Sequence, residues 1–213
     1  MSGLILSQLR VMLHHTVIAQ LNLTVAAGQV LTIMGPSGSG KSTILAAIMG
    51  TLPAAFNVTG GIMLNDRDVA GLPTAQRRIG ILFQDDVLFP HLSVAGNLGF
   101  GLPASVARAQ RRAVIDAALT TVGLAGFGSR DPATLSGGQR ARVALLRTLL
   151  ANPEALLLDE PFSRLDLALR DQIRTLVFDQ ARTRGLPVIL VTHDPADAAS
   201  ANGQVISPMG QPL

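Results

Sequence analysis

The sequence predicts an α/β fold, in which helices flank a largely parallel β-sheet and a helical subdomain is inserted into the sheet domain. Short apolar segments alternate with helical patterns in the first and last parts of the chain, as buried strands of a parallel sheet do. The middle, between Gln84 and Asn152, has helical patterns and no strong strand pattern. With 213 residues, 48% of them hydrophobic, we expect one domain with a substantial core.

Five segments have the composition of buried strands, because they are short, apolar and bounded by polar residues, glycine or proline. They are VIAQLNLTV (17–25), VLTIM (30–34), IGILF (79–83), ALLLD (155–159) and PVILVTH (187–193). We expect these segments to form the largely parallel sheet of a core that comprises residues 1–84 and 152–213.

Helical patterns fill the insertion, which we place at residues 85–151. They start at Val94, run from Ala104 to Val122, and run from Gly137 to Leu150. The pair Asn152 and Pro153 ends the last of them, because the residue before proline disfavours the helical conformation. A further helix is predicted from Leu167 to Arg184, with apolar residues at three- and four-residue steps that we expect to pack in the core. These are Leu169, Ile173, Leu176 and Val177. We expect a solvated helix face at Arg108, Arg111 and Arg112.

The composition argues against several classes of protein. No apolar run approaches the ~18 residues of a membrane-spanning helix, and the start of the chain lacks a signal-peptide pattern, so we expect a cytosolic protein. The absence of cysteine excludes disulfides and thiolate metal sites. A net charge of only +3 and the absence of tyrosine and tryptophan disfavour nucleic-acid binding.

The segment GPSGSGKST holds the only lysine of the chain, beside sixteen arginines. It fits the phosphate-loop pattern GxxxxGK[ST], and it follows a predicted strand and precedes a helical run. Glycines let successive N–H groups point at one anion, and a compact ammonium fits inside the curl where a planar guanidinium would clash. The alternative is a Gly/Ser turn without a ligand. The predicted phosphate-binding residues are Gly35, Pro36, Ser37, Gly38, Ser39, Gly40, Lys41, Ser42 and Thr43. We expect the Ser42 hydroxyl to bind Mg²⁺ and Thr43 to contact phosphate.

Further motifs follow in a fixed order. They are a glutamine after a strand at Gln84, LSGGQ at 135–139, ALLLDEP at 155–161, SRLD at 163–166 and VTHD at 191–194. With the phosphate loop, this ordered set resembles the ATP-binding cassette (ABC) ATPases over nearly the whole chain, and most resembles the stand-alone ATP-binding subunits of bacterial importers. The resemblance implies a P-loop NTPase core with an N-terminal antiparallel β region and an inserted helical subdomain.

The resemblance also implies roles for residues at strand ends. Asp159 would hold Mg²⁺ through its water, Glu160 would be the general base, and His193 would orient the attacking water at the γ-phosphate. Gln84 would contact Mg²⁺ and this water. A solvated strand-end acid at Asp159 and an ordinary strand-end histidine at His193 are the alternatives.

The LSGGQ segment implies a second phosphate site that acts on another subunit. Ser136, Gly137, Gly138 and Gln139 would close over the ATP of a second copy, giving a head-to-tail homodimer with two ATP molecules at its interface. Asp166 would cross that interface. A helix N-cap is the alternative role of Ser136.

The function that this resemblance implies is an ATPase that drives transport through separate membrane subunits. We expect ATP and Mg²⁺ as cofactors, and permease subunits, a second copy and a substrate-binding protein as partners. No nucleic acid is expected, and the location would be cytoplasmic, on the inner face of the membrane. We expect permease contacts at Phe89, Pro90 and Leu92, for which ordinary packing is the alternative.

Three other functions stay open at this stage. A soluble ABC-type switch that acts on nucleic acid or ribosomes would share the ATPase fold, but the relatives that do so need a long coiled coil or two cassettes. A binding module without catalysis is disfavoured by Glu160 and His193. A small-molecule kinase would leave LSGGQ unexplained.

Two positions depart from the family pattern. No aromatic residue precedes Phe56, so Met12, Leu13 or His14 would have to contact adenine, and we expect loose selectivity for the base. Arg164 stands where the family often has a small residue, at the predicted dimer interface.

Overall fold

The structure of the protein is a computed structural model that describes residues 3–85, 87–165 and 167–213, without the side chains of residues 167 and 168. Contacts divide the chain into two compact units. The first unit comprises Met1–Ile81, Glu154–Glu160 and Arg174–Leu213, and the second comprises Leu82–Pro153 and Pro161–Ile173. The helical subdomain placed at 85–151 falls within the range of the second unit. As a domain assignment, it stays a prediction.

The described residues form nine strands and seven α-helices. The strands are β1 (Gly3–Leu13), β2 (Thr16–Ala26), β3 (Val30–Met34), β4 (Phe56–Leu64), β5 (Arg67–Asp68), β6 (Ile79–Leu82), β7 (Ala155–Asp159), β8 (Val188–Thr192) and β9 (Gln204–Ile206). The helices are α1 (Lys41–Met49), α2 (Thr74–Arg77), α3 (Val94–Gly101), α4 (Arg108–Thr121), α5 (Gly137–Leu150), α6 (Leu167–Arg184) and α7 (Pro195–Ala201), with 3₁₀ turns at Phe127–Ser129 and Pro132–Thr134.

A five-stranded sheet, in the order β6-β7-β8-β3-β9, forms the centre of the first unit. Strands β3, β7 and β8 are almost wholly buried, as their continuous apolar sequences predict. Because β3 and β7 both run parallel to β8, their carboxyl ends meet at one edge of the sheet. Met34 pairs there with Thr192, and Asp159 pairs with Val191. The residues that follow these strands therefore share one edge.

An antiparallel sheet, in the order β2-β1-β4-β5, forms the second layer of this unit. The N-terminal antiparallel region is confirmed, but the assignment of segment 17–25 to the parallel sheet is wrong, because β2 pairs antiparallel with β1. Polar residues alternate with apolar ones along β2, so only one of its faces is buried. Such alternation is typical of antiparallel sheets with a solvated face.

Helix α1 lies in the hydrophobic core of the first unit. Ile44, Leu45 and Ile48 belong to the same buried cluster as Leu6 of β1 and Ile33 of β3. The core thus joins both sheets to the helix that begins at the predicted phosphate loop.

The second unit is helical, and no strand lies between Gln84 and Asn152 among the residues described there, as predicted. Helices α3, α5 and α6 begin where the sequence places them, whereas α4 begins at Arg108 and not at Ala104. On the face of α6 predicted to be core, Ile173 and Val177 are buried.

The solvated face predicted for α4 is only partly correct. Arg108 and Arg112 are exposed, but Arg111 is not solvated. Its guanidinium donates to the carbonyl oxygens of Pro103 at 3.0 Å and Leu102 at 3.3 Å, and it also reaches Gly99, so that it satisfies carbonyl groups at the carboxyl end of α3. None of the described helices combines the length and the apolar character that crossing a bilayer requires.

Candidate functional site

The predicted phosphate loop, Gly35–Gly40, connects β3 to the start of α1. Gly40 is the N-cap of α1 and has a left-handed backbone, with φ 92°. A Cβ atom at this position would lie 2.7 Å from Cγ2 of Ile18. No side chain caps the helix, so its first N–H groups are available to an anion, and the helix dipole favours negative charge there.

The Lys41 side chain is buried and folds back over the loop. Its Nζ donates to the carbonyl oxygens of Gly35 at 2.8 Å and Pro36 at 2.9 Å. The Ser39 hydroxyl is also buried, and it has no hydrogen-bond partner among the described residues. Buried hydroxyl groups usually have a partner, so an unpaired hydroxyl in this loop indicates a polar ligand.

Ser42, in the first turn of α1, and Asp159, at the end of β7, form the candidate metal site. The Ser42 hydroxyl hydrogen-bonds the Asp159 carboxylate. Burial raises the pKa of Asp159, and the Ser42 hydrogen bond opposes that rise; the Glu160 carboxylate adds to it and the Lys41 ammonium opposes it.

These two oxygen ligands fit Mg²⁺. The part of the chain that the structure describes has no group of three His, Asp or Glu side chains that could hold a metal. Mg²⁺ is commonly held by one or two protein oxygens together with substrate phosphates, and Ser42 and Asp159 can supply such a pair beside the loop.

Glu160 and His193 meet at the same edge of the sheet. Glu160 follows β7, and its N–H donates to the carbonyl oxygen of Val191 at 2.9 Å. His193 follows β8, and its Nδ1 lies 2.9 Å from Oε1 of Glu160. The Glu160 backbone is left-handed, with φ 47°. This geometry holds a carboxylate beside the phosphate loop, where it can accept a proton from water.

Ser136, the serine of the LSGGQ segment, caps α5 in the second unit. Its hydroxyl accepts from the Gln139 N–H at 3.3 Å, and its own N–H donates to Oε1 of Gln139 at 3.0 Å. This is a capping box, so the role we held as the alternative for Ser136 is observed. Ser136 is exposed, and Gly137 and Gly138 form the first turn of α5.

Gln84 and Arg164 also belong to the second unit. Gln84 is exposed and follows β6 by two residues. The next residue, Asp85, forms an ion pair with Arg164. This pair explains what Arg164 contacts in the single chain. Asp166, predicted to cross a dimer interface, lies outside the described residues.

The structure thus brings together Ser42, Asp159, Glu160, His193 and the loop residues in the first unit. It describes Gln84 and the LSGGQ residues separately, in the second unit. Of the positions considered for adenine, Met12 and Leu13 end β1, and His14 lies exposed in the turn to β2.

Sequence reasoning missed two features of the first unit. One is Ile18, which lies against Gly40 and which no motif indicates. The other is a buried pair, Arg174 and Asp197, next to the turn that carries His193. A charged residue beside Ile173 in the apolar face of α6 was a signal for this pair.

The family profile described as "ABC transporter" matches residues 18–163, which include the phosphate loop, Asp159 and Glu160. The chain belongs to the ABC transporter family. It is an ATP-binding and ATP-hydrolysing protein of that family, and this confirms the resemblance read from its ordered motifs.

Two relatives and one solved structure support the assignment of this chain to the ABC transporter family. The chain is 54% identical over 186 residues to the uncharacterized ABC transporter ATP-binding protein YnjD of Escherichia coli K12, and the match covers 85% of this chain and 86% of that protein. It is 48% identical over 176 residues to the thiamine import ATP-binding protein ThiQ of Cereibacter sphaeroides, covering 82% and 75%. It matches the dimeric post-hydrolysis structure of the ATP-binding cassette MJ0796 bound to ADP and Pi, with a TM-score of 0.81, 29% identity and coverage of 96% and 93%.

Proposed function

We propose that this ABC ATPase is the motor subunit of an importer, and that two copies close on two ATP molecules to drive transport through separate permease subunits. The thiamine import ATP-binding protein among its relatives supports the importer direction. The dimeric cassette with ADP and Pi supports a dimer that hydrolyses ATP. Neither relative is named for work on nucleic acid or ribosomes, so the switch alternative has no support.

The observation that carries the mechanism is the Glu160–His193 hydrogen bond at the edge of the sheet that also bears the phosphate loop. Glu160 takes a proton from a water molecule as the water oxygen bonds to the γ-phosphorus. The bond from that phosphorus to ADP breaks, and ADP and phosphate are the products. His193 keeps the Glu160 carboxylate turned towards the water.

Other residues of the first unit bind the substrate. The Lys41 ammonium and the N–H groups at the start of α1 hold the phosphates, and Gly35–Thr43 surrounds them. Ser42 and Asp159 would hold Mg²⁺. The ion would neutralise charge on the β- and γ-phosphates.

The second half of each ATP site would come from the partner copy. Ser136 and the N–H groups of Gly137 and Gly138 lie at a helix start, which is suited to an anion. Gln139 keeps Ser136 in place through the capping box. Asp166 would contact the opposite subunit. In this arrangement, an isolated chain is a poor catalyst.

Replacing Glu160 with Gln tests this function. Glu160→Gln keeps the shape of the side chain but cannot take up the proton, so we expect turnover to fall by about 10²–10⁴-fold while ATP still binds. The variant should accumulate as an ATP-bound dimer, which light scattering after size-exclusion chromatography measures directly.

Glu154→Gln is the matched control. Glu154 precedes β7 as Glu160 follows it, and it pairs with Arg78 on the protein surface at 2.7 Å. We expect this variant to hydrolyse ATP like the wild type and, because its dimer reopens after each turnover, not to accumulate as an ATP-bound dimer. Turnover of Glu160→Gln within about twofold of wild type would remove Glu160 from the role of base.

A further inference from the structure

A buried ion pair lies beneath the turn that carries His193. Arg174 of α6 donates from Nε to Oδ1 of Asp197 on α7 at 2.7 Å, and its terminal nitrogen binds the same oxygen. The two side chains are only 7% and 4% exposed. Two charges removed from water carry a desolvation cost that a surface pair avoids, so a buried pair is weak evidence for added stability. Its contacts indicate another role.

The pair is bonded to both chain neighbours of His193. Oδ2 of Asp197 accepts a hydrogen bond from the Thr192 hydroxyl at 2.8 Å. The Thr192 oxygen in turn accepts from the N–H of Asp194 at 3.1 Å, and Arg174 lies 3.6 Å from the Asp194 carboxylate. One buried carboxylate is therefore linked to the residues on both sides of His193.

His193 itself has little packing to hold it. Its side chain is 65% exposed, whereas the Glu160 carboxylate that it contacts at 2.9 Å is 14% exposed. An exposed imidazole keeps one orientation only if its backbone and its hydrogen bond define it. Strand β8 holds the backbone before His193 and the N-cap of α7 holds it after, and the bonds from Asp197 to Thr192 and from Thr192 to Asp194 tie these two ends together.

We propose that Arg174, Thr192 and Asp197 form a turn clamp, a set of positioning residues that holds His193 against Glu160. None of the three is assigned to the nucleotide. The turn clamp acts through His193, so its effect on turnover rests on the function proposed for Glu160 and His193. Its effect on the hydrogen bond between His193 and Glu160 is independent of that function.

Imidazole ¹⁵N NMR tests the hydrogen bond directly, because the Nδ1 signal of His193 reports whether that nitrogen binds Glu160. Glu160→Ala provides the signal without the bond, and His193→Gln identifies the resonance among the four histidines. We expect Thr192→Val and Asp197→Asn to move the signal to the Glu160→Ala position. Thr192→Ser, which keeps the hydroxyl, should retain the wild-type signal.

Kinetics provide the second measurement. A small misplacement of a group that orients the reactants lowers turnover by up to about a hundredfold, so we expect kcat of Thr192→Val to fall between about tenfold and a hundredfold. The dissociation constant of ATP should stay within about twofold, because the phosphate contacts are untouched. A residue with only a structural role would not produce this separation together with the NMR shift.

Asp179→Asn is the control on the same helix. Asp179 pairs with Arg182 at 2.7 Å on the surface, where both side chains are more than half exposed. This variant should keep the wild-type signal and turnover. If Asp197→Asn does not fold, Thr192→Val decides the question, since it leaves the ion pair in place.

The outcomes separate the turn clamp from the function on which it rests. An unchanged Nδ1 signal in Thr192→Val overturns the turn clamp. A shifted signal with unchanged turnover supports the turn clamp and counts against the role proposed for His193 in hydrolysis.

Discussion

Lys41 occupies a space defined by carbonyl oxygens. Its Nζ lies 2.8 Å and 2.9 Å from two of them, and the side chain is buried. An ammonium can turn its three donors towards carbonyl or phosphate oxygens from one point. A guanidinium is wider and planar, and its fork needs ligands in its own plane. In a chain with sixteen arginines, this single lysine is therefore explained by shape and not by charge.

We predict that Lys41→Arg lowers the affinity for ATP by at least about tenfold although it conserves the charge. The larger group must either displace the loop or leave the phosphates without their ammonium contact. Isothermal titration with ATP and Mg²⁺ measures the loss.

The control for this prediction is Arg78→Lys, the reverse exchange on the surface of the same unit. Arg78 is exposed and pairs with Glu154. Its exchange should leave ATP affinity unchanged. Equal affinities in Lys41→Arg and wild type would contradict the explanation from shape.

Helix α1 depends at its carboxyl end on one buried arginine. Arg77 donates to Ile48 at 2.6 Å and to Ala47 at 3.3 Å, both at that end, and to the carbonyl oxygens of Ala70 and Leu72 nearby. Burial lowers the pKa of Arg77, and the charge of Asp68 opposes this shift. A cation at the carboxyl end of a helix interacts favourably with the helix dipole. Arg77 therefore stabilises α1, the helix that begins at the phosphate loop.

We predict that Arg77→Met lowers the free energy of unfolding by about 3 kcal/mol, because buried carbonyl groups lose their donor. Denaturation in urea, followed by circular dichroism, measures the change. Arg78→Met changes the next residue, which is exposed, and should cost less than about 1 kcal/mol. An equal decrease in the free energy of unfolding in the two variants would show that the buried hydrogen bonds of Arg77 stabilise the protein no more than the surface contacts of Arg78 do.

At the scale of elements, two features of the sequence predicted most of the fold. They are the hydrophobic periodicity and the polar, glycine and proline residues that bound each segment. The continuous apolar runs gave β3, β7 and β8, and the helical periods gave α5 and α6 with their observed bounds. Strands β1, β4, β5 and β9 were not identified as individual elements. Strand β4 has a short solvated stretch and two glycines, and its pairing with β1 comes from residues distant in the chain. Strand β9 has three residues, too few for a periodic pattern.

The candidate site was predictable where a motif fixes local geometry. The phosphate loop and the strand-end positions of Asp159, Glu160 and His193 follow from parallel strands that end at one edge. The sequence marks Arg174 as a charged residue beside Ile173 but does not identify Asp197 as its partner, because the contact joins two helices whose packing no local pattern specifies. It takes tertiary structure to show which charged residue of an apolar face has a partner.

On the scale of the whole molecule, the second unit carries an apolar patch formed by Val87, Phe89 and Phe100. Phe100 is 70% exposed and Val87 is 60% exposed. The rings of Phe89 and Phe100 lie 4.6 Å apart, and Asn97 fixes the backbone of Phe89 with hydrogen bonds of 2.8 Å and 3.1 Å. Exposed aromatic groups on a fixed backbone are typical of binding surfaces, so we propose that this apolar patch contacts the permease.

We predict that Phe100→Ser weakens rebinding of the ABC ATPase to its own inside-out membrane vesicles, stripped of peripheral proteins, by about tenfold. Basal ATP hydrolysis by the isolated protein should not change, because Phe100 takes no part in the site. Sedimentation with the vesicles measures binding.

Met209→Ser is the control, an exposed apolar residue of the first unit. It should rebind like the wild type. If Phe100→Ser rebinds equally well, the apolar patch is not the permease contact, and ordinary packing within the unit accounts for Phe89, Pro90 and Leu92.

The left-handed backbone of Glu160 affects which substitutions at this position stabilise the protein. A residue with a Cβ costs roughly 1 kcal/mol or more in that conformation, and glycine avoids the cost. Exchange of Glu160 for glycine would therefore relieve backbone strain at a position where the chemistry of the protein is concentrated. A screen that selects variants only for thermal stability could therefore select proteins without ATPase activity. Such a screen must also measure phosphate release.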